Sequence, residues 1–200
     1  TGTYDATFGT IIYDSGSLES DMPYVIEIDS SNNIYVGGYI YNYNLAVRKY
    51  SSSGVLDTGF GTSGMITYDG GTQTVARDMK IVDSVLYIAG YVYPSTATYN
   101  DWLLMKYSTS GVLDTSWGTN GQFRYTDPGV SDHCYGMEID SNGNIYLAGE
   151  IGPISANDWG LIKIRSDATY MSEVNTSPTG TGQIIVNGNF TINNITVDND

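Results

Sequence analysis

Apolar and polar residues alternate along most of this 200-residue chain with a period of two. In "YVIEID" Tyr24, Ile26 and Ile28 fall on one side, and in "YGMEID" Tyr135, Met137 and Ile139 do the same. A strand sends successive side chains to opposite faces, so this alternation predicts half-buried β-strands with those residues turned to the core. Denser apolar runs follow in "NIYVGGYI", "VLYIAGYV" and "NIYLAGEI", and again in "NLAVRKY", "DWLLMKY" and "DWGLIKI". Shorter runs read "TIIYD", "MITYD" and "QFRYT". Clusters of Gly, Ser, Asn and Asp separate them, which is turn chemistry. No segment carries a 3.6-residue period, so helices are not expected.

The runs recur in a fixed order. Phe8, Phe60 and Trp117 lie 52 and 57 residues apart, and Lys49, Lys106 and Lys163 are each 57 apart. Tyr35, Tyr87 and Tyr146 form a third series. The stretch "SSSGVLDTGFGTSG" from Ser51 returns as "STSGVLDTSWGTNG" from Ser108, and a degenerate "YDATFGT" opens the chain. Each repeat holds four strand signals, beginning with the one after the Phe-Gly or Trp-Gly. A period of 50 to 60 residues with four strands predicts propeller blades. The expected fold is therefore all-β: about three four-stranded propeller-like blades plus a C-terminal hairpin or donor strand. The repeats cover about 3–54, 55–111 and 112–170 of a domain spanning 1–170. A Ser/Thr/Pro/Gly linker (171–182) and a β segment (183–200) follow.

"GVLDTGFGTSG" and "GVLDTSWGTNG" resemble the delta-60 class of bacterial and archaeal surface propeller repeats. "IDSNGNIYLAG" with "NDWGLIKI" is similar to that class and to SBBP-type propeller repeats. The resemblance covers about residues 3–170. It implies blade architecture and secreted or surface proteins, and it brings no shared catalytic residues. The first repeat departs from the pattern, lacking the second Gly of "FGTSG" and carrying Asn44-Leu45 in place of Asp-Trp.

Three blades are fewer than the four to eight with which propellers close. Open sheet edges invite pairing with another strand. The C-terminal segment fits that need. Asn187-Gly188 is a hairpin signal, and Ile184, Val186, Phe190, Ile192, Ile195 and Val197 supply an apolar β pattern that matches no part of the repeat. These six are the candidate assembly residues, lent to a neighbouring subunit.

Composition narrows the partners. The net charge of −14 with only eight basic residues leaves no basic face for nucleic acid. No apolar run approaches 18 residues, so no membrane insertion is expected. Tyr outnumbers Phe 18 to 4, which suits half-exposed strands and interfaces. The single cysteine, Cys134, excludes an internal disulfide.

Candidate chemistry is sparse. His133 and Cys134 adjoin, but strand neighbours point to opposite faces, so a Cys-His dyad is not expected. The loops from Asp29 and from Asp140, with Asn142 and Asn144, offer hard oxygens suited to calcium. They lack the twelfth-position Glu of an EF-hand, and the same residues serve ordinary turns. Lys49, Lys106 and Lys163 and Asp5, Asp57 and Asp114 recur at the blade junctions, where ion pairs would latch one blade to the next. Trp102, Trp117 and Trp159 read as blade core or, alternatively, as sugar-stacking platforms. Asn175, Asn189 and Asn194 begin N-x-[ST] sequons. No cofactor is expected. The function these features predict is a non-enzymatic, extracellular, self-assembling subunit of a surface layer or filament; the alternative is a carbohydrate- or protein-binding propeller module of an adhesin.

Overall fold

The computed structural model describes residues 2–17, 20–127, 129–152 and 158–165, with the backbone of Val174–Asn175. The C-terminal β segment, with its assembly residues and the sequons at Asn189 and Asn194, lies outside the described residues. Among the described residues the fold is all-β, with one 3₁₀ turn at Tyr41–Tyr43.

Three antiparallel sheets follow one another along the chain. The first holds β1 (Met22–Ile28), β2 (Ile34–Ile40), β3 (Asn44–Tyr50) and β4 (Met65–Tyr68) in that order. The second holds β5 (Gln73–Val82), β6 (Val85–Tyr93), β7 (Asp101–Ser108) and β8 (Gln122–Thr126). Alongside β8 the two-residue β12 (Val174–Asn175) pairs in parallel. The third sheet holds β9 (His133–Ile139), β10 (Ile145–Ile151) and β11 (Asp158–Ile164).

Sheets and sequence repeats are out of phase. The strand that opens each repeat belongs to the sheet before it: "MITY" is the outer strand of the first sheet and "QFRYT" that of the second. Each repeat boundary is thus stitched across two blades, the outer strand of one leading directly into the inner strand of the next. The expectation of a strand at "TIIYD" is corrected by the same logic. Residues 10–14 join no ladder, because their partner would be the third strand of a preceding blade.

Two apolar layers hold the stack together. One lies between the first and second sheets, joining Tyr35, Leu45 and Val47 to Met79, Leu103 and Met105. The other lies between the second and third, joining Trp102, Leu104 and Tyr125 to Met137, Ile145 and Leu147. Met79 is fully buried between blades, and burial of such a side chain contributes about 1.5–3 kcal/mol.

The core parity expected for the inner strands holds for Met137 and Ile139 in the third blade, but not for Tyr135, which is exposed, and it fails in the first. Met137 is buried, whereas Ile26, at the same repeat position, is 63% exposed, and Ile28 and Tyr24 are exposed as well. The inner-strand face of a blade is covered by the blade before it, and among the described residues no sheet stands before β1.

A bulge recurs at the same place in every sheet. The β1–β2 register skips Tyr24, the β5–β6 register skips Arg77, and the β9–β10 register skips Tyr135. A bulge leaves its residue out of the ladder and re-aims its side chain. Opposite each one stands a glycine: Gly38, Gly90 or Gly149. A Cβ there would be driven into the carbonyl oxygen of Met22, Val75 or His133, far inside the 3.0 Å that real Cβ atoms keep. The glycine that ends "YVGG", "YIAG" and "YLAG" is thus required by the bulge.

Candidate functional site: blade junctions, bulge cluster and open end faces

The repeated fourteen residues form a junction built twice with the same parts. Gly54 and Gly111 take positive φ (80° and 85°) to close a turn back to Ser51 and Ser108. Leu56 and Leu113 bridge back to Tyr50 and Tyr107. The Asp57 carboxylate accepts the amide of Gly59, and that of Asp114 accepts the amide and hydroxyl of Ser116. Each aspartate also meets a lysine: Lys49 Nζ lies 3.1 Å from Asp57 and Lys106 Nζ 2.9 Å from Asp114. These pairs are part-exposed, so each contributes about 1 kcal/mol or less. The aromatic of the junction packs edge-on against the anchor tyrosine of its own blade, Phe60 on Tyr35 at 5.6 Å and Trp117 on Tyr87 at 6.3 Å.

Asp5 and Lys163 depart from the expected set. Asp5 builds the same cap, accepting the amides of Thr7 and Phe8 and the hydroxyl of Thr7. Those hydrogen bonds hold its carboxyl below the ordinary range. Lys163 rests over the Tyr146 ring at 5.1 Å. Neither has an ion-pair partner among the described residues.

In the two loops that offer hard oxygens, each aspartate carboxylate is engaged by hydrogen-bond donors. Asp29 accepts the amides of Ser31 and Asn33, the Asn33 side-chain amide and the Tyr35 hydroxyl. Asp140 accepts the matching four donors from Asn142, Asn144 and Tyr146. Asn142 donates through its backbone amide and Asn144 through both its backbone and its side-chain amide. The donors hold the Asp140 carboxyl down to about 2, the Asn144 side chain foremost. These loops are closed turns that position Tyr35 and Tyr146. Among the described residues, no three His, Cys, Asp or Glu gather as a metal site.

The bulges bring together a cluster that sequence parity did not foresee. Arg77 lies 4.0 Å over the Tyr24 ring, 5.4 Å from Tyr91 and 5.7 Å from Tyr135, joining all three blades. His133 sits edge-on to Tyr91 at 4.6 Å and stacks on Tyr135 at 6.0 Å. The Asn100 side chain lies 2.8 Å from His133 Nε2, and Tyr135 donates to Glu150 at 3.1 Å. Burial keeps the His133 pKa low, so the ring is neutral at neutral pH. Cys134 is buried, its thiol pushed up to about 12 by burial. It packs in the second apolar layer while His133 joins the cluster. The signal that could have found the cluster was the repeated glycine opposite the bulge.

Beneath this cluster the turn after β8 is locked by Asp132, which is fully buried. Its carboxylate accepts the amides of Asp127 and Gly152. Burial outweighs them and raises its pKa to about 7.

The tryptophans divide by context. Trp102 is fully buried and donates its indole N–H to the Glu150 carbonyl. Trp117 is part-buried against Tyr87. Trp159, at the position of Trp102, is 101% exposed, and Leu161 beside it is 65% exposed. The stack thus ends in two open apolar faces, one on the first blade around Ile26 and Ile28, the other on the third around Trp159 and Leu161. Over part of the first face lies the N-terminal segment. A groove of about 330 Å³ remains, lined by Phe8, Ile11, Tyr13, Ile26, Val36 and Arg48 among others.

Stacked four-stranded sheets with inter-blade apolar layers and outer strands passed between repeats define a β-propeller repeat protein. A family model described as "Domain of unknown function (DUF5122) beta-propeller" matches residues 30–60 and 83–116. Both matched stretches run from the turn after the first strand of a blade through its second and third strands and into its junction. No curated protein and no solved structure matches the chain.

Proposed function

We propose that this chain is a non-enzymatic, extracellular structural module that associates with copies of itself to build a surface layer or filament. The observation that carries this reading is the pair of open apolar faces at opposite ends of the stack. Exposed apolar patches of this kind mark association surfaces. The charge of −14 opposes nucleic acid and anionic membranes and keeps single subunits soluble. The likeness of the junctions to delta-60 and SBBP-type repeats supports a secreted location. Sedimentation of the purified chain across concentration tests the reading. Particles larger than the 21.7 kDa chain are expected at micromolar concentration, and a monomer throughout refutes it.

The half-exposed Tyr24 and Tyr135 beside Arg77 favour a second reading, carbohydrate recognition by ring stacking. Saccharide binding that is lost in Tyr135→Ala supports it, and failure to bind any sugar of a broad array removes it.

A further inference from the structure

We infer that two copies of this chain close a six-bladed propeller, each lending its N-terminal segment, residues 5–14, to the third blade of the other as the missing fourth strand. The inference rests on the self-association proposed above and specifies its building block.

The N-terminal segment already occupies the place of a junction and outer strand from a preceding blade. The Phe8 ring lies 3.3 Å from where a Gly54 Cβ would stand, and the Phe60 ring lies 3.3 Å from the same point on Gly111. Each junction thus stacks on the next, and residues 5–9 form the first member of that series. Beyond it, Ile11 and Tyr13 line the groove on the first blade. Their repeat equivalents Ile66 and Tyr68 pack against the second blade. Ile12 points outward, as does Thr67 at its position. What this segment lacks is a sheet to join.

Among the described residues the third blade has no strand of the kind the segment carries. Its β11 has no outer neighbour among the described residues, whereas β3 and β7 each have one. Leu45 pairs with Tyr68 and Val47 with Ile66; Trp102 pairs with Tyr125 and Leu104 with Phe123. The same register puts Trp159 opposite Tyr13 and Leu161 opposite Ile11 of the second copy. It brings Asp5 to Lys163, each without an ion-pair partner among the described residues, and Phe8 to Tyr146, completing the edge-on pair found in the other two blades. Trp159 and Leu161 then enter the groove over Ile26, as Trp102 and Leu104 enter the layer over Met137. The contact is head-to-tail, and such contacts form rings when the rotation closes. The three described sheets taken twice make six, within the four to eight blades with which propellers close.

The test uses full-length chains. One copy carries Ile11→Cys and another Leu161→Cys; Cys134 is buried and stays in place. The two are mixed and treated with a short bis-maleimide. Sedimentation is run on the wild type, on Trp159→Ala and on a chain lacking residues 176–200. The inference expects a particle of twice the chain mass, a covalent product only in the mixture, and no effect of the C-terminal deletion. Trp159→Ala should weaken association at least about thirtyfold, as loss of an interface anchor does, with unchanged strand content because that ring touches nothing in the monomer. Association without the 11–161 cross-link, or lost with the C-terminal deletion, overturns the inference and leaves the self-association reading standing. A monomer at every concentration overturns both.

Discussion

Gly90→Ala isolates the physics of the repeated bulge. Gly90 does not adopt positive φ, so alanine is tolerated by the backbone torsions and only space is at issue. The added Cβ would press into the Val75 carbonyl, with the Arg77 amide 3.2 Å away. Both obstacles are backbone, so no rotamer change relieves them. The β5 and β6 strands must part locally, giving up roughly two ladder hydrogen bonds at about 0.5–1.5 kcal/mol each. Overpacking of the surrounding core adds about 1–3 kcal/mol. The expected cost is about 2–6 kcal/mol, a large part of a typical domain stability of about 5–15 kcal/mol. For a chain of this size that lowers Tm by roughly 10 °C. Urea unfolding followed by tyrosine and tryptophan fluorescence measures it. The control is Gly136→Ala, where a Cβ meets nothing within 4 Å; it should be neutral or stabilise by up to about 1 kcal/mol. If Gly90→Ala unfolds within about 0.5 kcal/mol of the wild type, the steric account of the repeat glycine is wrong.

Met79→Ala should cost about 2–5 kcal/mol and Ile26→Ala, at the same repeat position, less than about 1 kcal/mol in the monomer; equal losses would show that the first blade's face is covered. Asp132 holds a proton in the folded protein that the unfolded chain has released between its ordinary pKa of 3.8 and about 7. Its contribution therefore makes stability fall as pH rises through that window. Asp132→Asn should flatten this part of the profile in urea titrations from pH 4 to 8, and an unaltered slope would assign the pH dependence elsewhere. Asp140→Ala should lower Tm by opening the turn that positions Tyr146, while EDTA leaves the wild-type Tm unchanged; a fall with EDTA would restore the loop as a cation site.

The sequence by itself determined the strands, their repeat and the junction. These rest on local chemistry: period-two alternation, the positive-φ glycines at 54 and 111, and the Asp that caps its own turn within two residues. Lys49 and Lys106 could be matched to Asp57 and Asp114 because each pair is separated by one short turn. Tertiary structure decided which sheet each strand joins. "MITY" fits equally well before or after its junction, and only the ladder to β3 assigns it to the earlier blade. It also decided the fate of equal residues. Trp102 and Trp159 stand at one repeat position, as do Met79 and Ile26, and one of each pair is buried and the other open. A repeat pattern records which face of a strand is apolar; whether that face is covered depends on the blade stacked upon it, and at the two ends of the stack no further sheet covers it among the described residues.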